Sequence, residues 1–328
     1  MKMSIRLSVI SGIAMLSLSV GAMAADAAAS PKTFTFGGDV ELDITADDGG
    51  DAGNNFTHGG RIKLNAVGET KGDNYFIKGV AQPLVPFKGS SLGYDDVFLQ
   101  MGRDKWDVQI GRFEAANLFP LGKDTIVSHA GAGEAKVYEA NKARGRKDDV
   151  LHVALHSNPS DKLKLELGVM NGKADSDSFT ALRPAVSYNM GNTTLHAGFE
   201  TVKDKATDGT ELKQSGVGVG AGVKLGATNV NASVASLSEK ATGKADVDVT
   251  SLGLNMQRGP FGAGLVNSTT DNGSATKPKV NTVYATYTVP VFGSKDASVT
   301  FAANASRASN VAKDESVNAV RVRFNYGF

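Results

Sequence analysis

Charged side chains at alternate positions are the first chemistry that this sequence offers. Asp39, Glu41 and Asp43 recur with period two, as do Arg61 and Lys63 and, near the end of the chain, Arg321 and Arg323. On a β-strand that spacing puts each set on one face. Together with Lys78 they would form a positive–negative–positive wall on four adjacent strands. Such a wall can impose a transverse field on passing solutes. The plainer reading is a hydrated surface kept in register by salt bridges, each contributing about 0–1 kcal/mol. Glu114 and Asp124, in a segment bounded by Arg112 and Arg146, could face it. The wall counts five basic against three acidic groups, and residues 112–146 count six against four. Those counts predict weak charge selectivity with a slight tilt toward anions.

Other candidate chemistry reads as structure. His152 and His156 stand four apart, which on a strand is about 13 Å, too far to share a metal ion. Gly216, Gly218, Gly220 and Gly222 alternate with Val217, Val219, Ala221 and Val223. They lack the strand–turn–helix setting of a phosphate loop. They predict a strand with a bare inner face, which would widen the bore there. The absence of cysteine excludes disulfides and thiolate metal sites. With no Gly-x-Ser-x-Gly or His-Glu-x-x-His motif, the chain is read as no enzyme and as needing no cofactor. A serine/histidine hydrolase on the same scaffold is the remaining enzymatic reading.

The elements that must position these charges are short alternating strands. Phe34, Phe36, Val40, Leu42 and Ile44 oppose Thr33, Thr35, Asp39, Glu41 and Asp43, so one face is apolar and the other wet. Ile62, Leu64 and Ala66 oppose Arg61, Lys63 and Asn65, up to a Lys71–Asn74 turn. A third strand, 75–82, is expected to be broken by Pro83 and Pro86. The rhythm runs on to 318–328, where Val320, Val322, Phe324, Tyr326 and Phe328 share a face opposite Arg321, Arg323 and Asn325. Short and long connections alternate strictly, which a secreted β-sandwich would not require. The expectation is all-β: a transmembrane antiparallel barrel of 16 strands, 14 being the runner-up. Residues 25–328 allow about 19 residues for each strand with its connection.

Residues 1–24 read as a cleaved signal peptide: Lys2 and Arg6, an apolar run to Val20, then Ala22-Met23-Ala24. Without them the formal charge falls from +1 to −1, which gives no hint of a nucleic-acid partner. No later segment is apolar and long enough to cross a bilayer as a helix, although membrane strands escape such a scan.

The stretch from Arg112 to Arg146 interrupts the alternation for 35 residues, with a helix-like second half. Phe113, Leu118, Phe119, Leu121, Ile126, Val127, Val137 and Tyr138 give it more apolar surface than a solvated linker carries. Inside a wide barrel, residues 113–145 would fold into the lumen as a constriction loop. An external loop or lid is the alternative.

Taken whole, the mature chain resembles the Gram-negative outer-membrane porins of the 16-stranded type. Val108-Gln109-Ile110-Gly111-Arg112 resembles the end of their fifth strand, and Phe119-Pro120-Leu121-Gly122-Lys123-Asp124-Thr125 resembles their third loop. The resemblance implies that Arg112 and Arg146 belong to a basic eyelet cluster. It also implies that Phe324, Tyr326 and terminal Phe328 signal to the barrel-assembly machinery, and it favours a homotrimer in outer-membrane lipid, a monomer being the alternative that some sugar porins adopt. Leu121 stands where the family usually has an acidic residue, which leaves room for a carbohydrate porin similar to the raffinose and cyclodextrin channels. The leading expectation is passive diffusion of small hydrophilic solutes. A carrier of oligosaccharides would use Phe76, Phe98, Phe113, Phe119 and Tyr284 as sugar contacts. A plugged structural or adhesive barrel is the third reading. Trp106, Tyr75, Tyr188, Tyr326 and Phe328 are expected in lipid-interface girdles.

Overall fold

The computed structural model describes residues 31–48, 53–89, 91–174 and 177–328. The signal peptide expected at 1–24 lies outside them. Sixteen strands follow one another: β1 (Lys32–Asp47), β2 (Asn55–Lys71), β3 (Phe76–Pro86), β4 (Gly93–Arg103), β5 (Trp106–Arg112), β6 (Val150–Ser160), β7 (Leu163–Gly172) and β8 (Ser178–Asn189). The second half comprises β9 (Thr193–Lys205), β10 (Glu211–Leu225), β11 (Thr228–Ala241), β12 (Val247–Arg258), β13 (Phe261–Asp271), β14 (Lys279–Pro290), β15 (Ala297–Ser309) and β16 (Ser316–Gly327). Each pairs antiparallel with its neighbours, and β1 pairs with β16, so the sheet closes on itself. Closure leaves no row of unpaired backbone groups facing the surroundings.

The period-two pattern sets the register. Across the seam, Val40, Leu42 and Ile44 stand opposite Tyr326, Phe324 and Val322 on the outside, while Asp43 meets Arg323 on the inside. Across β1 and β2, Glu41 meets Arg61 and Asp39 meets Lys63. A one-residue slip would put these charges on the apolar face, so the alternation specifies the pairing strongly.

One end of the barrel carries the short turns. Gly226 and Gly259 open two-residue connections with φ of +60° and +56°, the left-handed first position that a II′ hairpin turn asks of glycine. Trp106, Tyr188, Phe261, Tyr326 and Phe328 ring this end on the outside, with Tyr75 just before β3. Phe56, Phe87 and Tyr94 mark the long-loop end. These are two aromatic girdles of the kind that flank the apolar band of a membrane barrel.

Three local expectations are corrected. Pro83 does not end the third strand; β3 runs through it to Pro86, its last residue, and a register shift between Ala81 and Pro83 absorbs the missing N–H. Several strands run further toward the long-loop end than their apolar pattern does, β10 beginning at Glu211 rather than Gly216. There the ladder continues with polar pairs, such as Glu211 with Lys203 and Lys213, at 2.8 and 2.6 Å. Between Arg112 and Arg146 no helix forms. The backbone there is satisfied in part by bonds between the segment's two ends, as from Ala115 N to Arg144 O at 2.7 Å, and in part by the barrel wall.

Candidate functional site

Residues 113–149 fold back into the barrel and follow its inner wall from β8 round to β16. Phe113, Leu118, Phe119 and Tyr138 are buried there. What receives them is an absence of side chains. A Cβ on Gly216 would lie 1.8 Å from the Tyr138 hydroxyl, one on Gly218 2.7 Å from Ala140 Cβ, and one on Gly198 2.5 Å from Leu118 Cδ1. Gly253 likewise leaves room for the Phe119 ring, its Cβ position being 2.7 Å from Cε1 and Cζ. The bare face of β10 therefore does not widen the bore, contrary to the expectation from its alternation: Gly216 and Gly218 seat the loop, and His196 and Asn231 lie over Gly220 and Gly222.

Further along, hydroxyls on the wall take the loop backbone. Tyr138 N donates to Ser251 Oγ at 2.9 Å, Lys136 N to Thr270 Oγ1 at 2.8 Å and Ala130 N to Ser306 Oγ at 2.9 Å. Ser268 Oγ donates to Lys136 O at 2.7 Å, and Asn304 Nδ2 to Ser128 O at 2.8 Å. A helix would have consumed these N–H and C=O groups internally, whereas an extended run can present them to the wall.

A buried ionic group fastens the loop's two ends. The Arg183 side chain, 1% exposed, donates to Ala116 O at 2.7 Å and Ala140 O at 3.3 Å, and lies 3.3 Å from Glu166 and 3.4 Å from Glu200. Glu200 accepts from the Tyr138 hydroxyl at 2.6 Å and from Lys142 N and Ala143 N at 2.8 and 2.9 Å. Glu166 accepts from Ala116 N at 3.1 Å. Burying these charges costs less because each is bonded several times over; removing one partner of such a set typically costs about 3–5 kcal/mol. Burial raises the Tyr138 hydroxyl above its ordinary pKa, and the charge of Glu200 raises it further. Burial also raises Glu139, against the opposing pull of Arg144 and Lys142. The His129 ring is held down at about 4 by burial.

The rest of the wall, from β16 through β1 and β2 to β4, which the loop meets only at its tip and its ends, carries the charges. Arg323 grips Asp43 with two nitrogens, both at 2.7 Å, and lies 3.5 Å from Glu41 and 3.2 Å from Asp124 of the loop. Arg321 donates to the carbonyls of Asp124 and Thr125 at 2.8 and 2.9 Å. Arg61 pairs with Asp39 and, at 3.1 Å, with Glu41. Lys63 joins Asp39 at 3.5 Å to Asp95 at 3.4 Å. From Asp95 the network passes to Arg146 at 2.6 Å, and from Arg146 to Asp96 at 2.8 Å and Glu114 at 3.6 Å. Glu114 also meets Arg144 at 3.0 Å.

The expected residues Asp39, Glu41, Asp43, Arg61, Lys63, Arg321, Arg323, Asp124, Glu114 and Arg146 thus belong to one connected set. Two do not. Lys78 lies over the Phe98 ring, 5.8 Å from its centre, and Arg112 pairs with Asp148 at 3.1 Å. Asp95, Asp96 and Arg144 belong to the network although the sequence did not single them out. Lys123 stands 3.9 Å from Asp124 as well, so seven cations meet seven carboxylates, and that balance removes the basis for an anion tilt counted on the wall alone. Phe324, Tyr326 and Phe328 are on the outer surface, apart from this site.

The aromatic side chains expected to meet sugars are mostly taken up elsewhere. Phe113 stacks on His152, ring centres 4.0 Å apart, and Phe119 fills the space over Gly253. Tyr284 is buried over Gly264. Among the described residues, no group of three or more His, Asp or Glu could hold a metal ion.

The model of a family described as "Porin-like glycoporin RafY" matches residues 36–181. No curated protein matches the chain in sequence. Among solved structures, the anion-selective porin from Comamonas acidovorans is similar with a TM-score of 0.70 at 12% identity, over 91% of this chain and 100% of that one. The trimer form of OmpT, an outer membrane protein of Vibrio cholerae, gives 0.72 at 12% identity, over 90% and 99%. A mutant of the Rh. blastica porin gives 0.58 at 16% identity, over 90% and 100%. The chain has the fold of the outer-membrane porins.

Proposed function

We propose that this chain is an outer-membrane channel for passive diffusion of small hydrophilic solutes, narrowed by the loop at 113–145 and weakly charge-selective. The observation that carries the proposal is the division of the lumen. The loop is bonded to the inner wall from β8 to β16, and opposite it stands a wall of balanced charges whose Asp39, Arg61 and Lys63 side chains stay 22–33% exposed. A solute crossing between them meets paired charges on a hydrated surface. The same reading includes export by the signal peptide, recognition of the final strand by the assembly machinery and a homotrimer, the form named for OmpT.

Among hydrophilic solutes, oligosaccharides are favoured by the match to the glycoporin family and by the balance of the pore-lining charges. Leu121, which packs against the loop's apolar cluster, puts no carboxylate in the eyelet. Single-channel recording in planar bilayers tests both readings. Stepwise ion conductance that an added oligosaccharide transiently reduces is expected. Conductance indifferent to sugar would leave a general channel, and an assembled barrel without conductance would leave a plugged one.

A further inference from the structure

On the outer surface, where the apolar band gives way toward the long loops, a groove of about 490 Å³ crosses β7 to β10. Val169 and Leu182, paired across β7 and β8 and 46 and 42% exposed, form its apolar end. Asn171, Thr180, Thr201 and Ser215 follow on the same face, and Lys203 and Lys213 close it. The alternate residues Met170, Ala181 and Val202 point inward and are buried with Ala143 of the loop. The groove therefore belongs to the lipid-facing side of the wall.

Its lysines stand in an arrangement that strand pairing alone disfavours. Lys203 lies directly opposite Lys213, and Lys213 directly opposite Lys240. Like charges in such positions repel. Lys203 and Lys213 share one carboxylate, Glu211, at 2.8 and 2.6 Å. Lys205 stands opposite the same Glu211 and makes no ion pair among the described residues. Asp177, just before β8, bonds the Lys205 carbonyl through its N–H. Lys240 is answered separately, by Asp246 at 2.9 Å and by the charge of Asp248. On the strands at the head of the groove, three lysines thus meet one acid. The Lys203 and Lys213 side chains remain 53% and 62% exposed, open to a further anion.

Elsewhere on the barrel this level is marked by aromatics: Phe56 on β2, Phe87 after β3 and Tyr94 on β4. On β7 to β11 the exposed aromatics are Tyr188, at the short-turn end, and Phe199, four residues short of Lys203. Aromatic rings fit the interface without regard to headgroup charge. Lysines there attract anionic headgroups, and an ammonium binds phosphate as a point charge. An apolar floor that runs into hydroxyls and then into ammonium groups complements an amphiphile in one orientation. Its acyl chain would lie toward the band and its phosphate toward the long loops.

We propose that this groove is a site for an anionic membrane lipid, its phosphate on Lys203 and Lys213 and an acyl chain along Val169 and Leu182. The hydroxyls of Thr180, Thr201 and Ser215 lie between the two. The site is outside the lumen, so it stands independently of which solutes the channel passes.

The test is native mass spectrometry of the assembled, detergent-solubilised barrel with dioleoyl phosphatidic acid or dioleoyl phosphatidylcholine. One phosphatidic acid per chain is expected, retained about tenfold or more in preference to phosphatidylcholine, whose chains are the same. Lys203→Gln together with Lys213→Gln should abolish that preference. Lys105→Gln together with Lys162→Gln, an equal loss of charge at the short turns, should preserve it. Heat-modifiable migration on SDS gels confirms that each variant has assembled. Equal retention of the two lipids by the wild type would overturn the site, by leaving only an unselective apolar groove. A preference that survives the changes at Lys203 and Lys213 would overturn it too, by placing the lipid elsewhere. Displacement of phosphatidic acid by an equal concentration of inorganic phosphate would also overturn it, by giving the lysines to a free anion. A wild-type oligomer that binds no lipid, and that dissociates when Lys203 and Lys213 are changed, would give the groove to a second copy instead.

Discussion

The Tyr138 hydroxyl donates to Glu200 at 2.6 Å directly above Gly216, in space that any side chain at position 216 would occupy. Gly216→Ala is expected to push Tyr138 aside and leave Glu200 short of a donor. Tyr138→Phe removes the donor alone, at a cost of about 1–3 kcal/mol for the under-satisfied buried acid. Thermal unfolding should show both variants destabilised, the glycine variant more so. Open-channel current should become noisier as the loop loses its seat.

Excising Gly122 to Ala140 while keeping the strands should raise single-channel conductance several-fold. This segment covers the wall from β10 to β16, and its removal exposes the hydroxyls of Ser251, Thr270 and Ser306 to water that they can bond equally well. Unchanged conductance in an assembled barrel would place the narrowest section elsewhere.

Arg61→Gln together with Lys63→Gln leaves Asp39, Glu41 and Asp95 less compensated. Reversal potentials in a salt gradient should shift toward cations. Leu121→Glu should shift them the same way. Both shifts should shrink at 1 M salt, where the Debye length is about 3 Å.

His129 bonds Thr282 through Nδ1 at 2.8 Å, and its Nε2 is buried. With the folded ring held down at about 4 and the unfolded one at the ordinary 6.5, the unfolded chain takes up the proton first. The stability that the neutral ring contributes is present above pH 6.5 and is lost as pH falls toward 4. The difference in melting temperature between wild type and His129→Gln should therefore change across that window and be flat above it.

Phe328 exchanges two backbone hydrogen bonds with Gly38, at 2.9 and 3.0 Å, and turns its ring outward beside Tyr326. Deleting it should reduce the amount of heat-modifiable barrel in the membrane. The conductance of those barrels that do assemble should not change.

The strands were legible because lipid outside and water inside impose period two on every one, and the turns are written in glycine. That Asp43, Arg323, Glu41 and Arg61 share the inner face follows from that parity. That Asp43 stands opposite Arg323, and Glu41 opposite Arg61, is set by the register of the strands. Asp95 and Asp96 did not follow from parity, since it sends neighbours to opposite faces, yet Arg146 reaches both where the strand begins. The loop's seat was illegible for another reason. A glycine facing inward looks the same whether water or Tyr138 fills the space, and Ser251 or Ser306 looks like any wet wall residue until a backbone N–H arrives. Arg183 and Glu200 were readable as inward charges on β8 and β9, flanking the glycine strand. Only the fold shows that they face the loop and not the pore.

Nearly all that holds the loop is synthesised after it. Leu118 waits for β9 and β10, Ala130 for Ser306, 176 residues on, and Asp124 for Arg323, 199 residues on. Contacts so distant along the chain form late, because closing the intervening chain must come first. The strand that seals the barrel is the same strand that takes hold of the loop's tip. An unfinished barrel is therefore also one whose loop is unseated, and the lumen acquires its final width only when its last strand is in place.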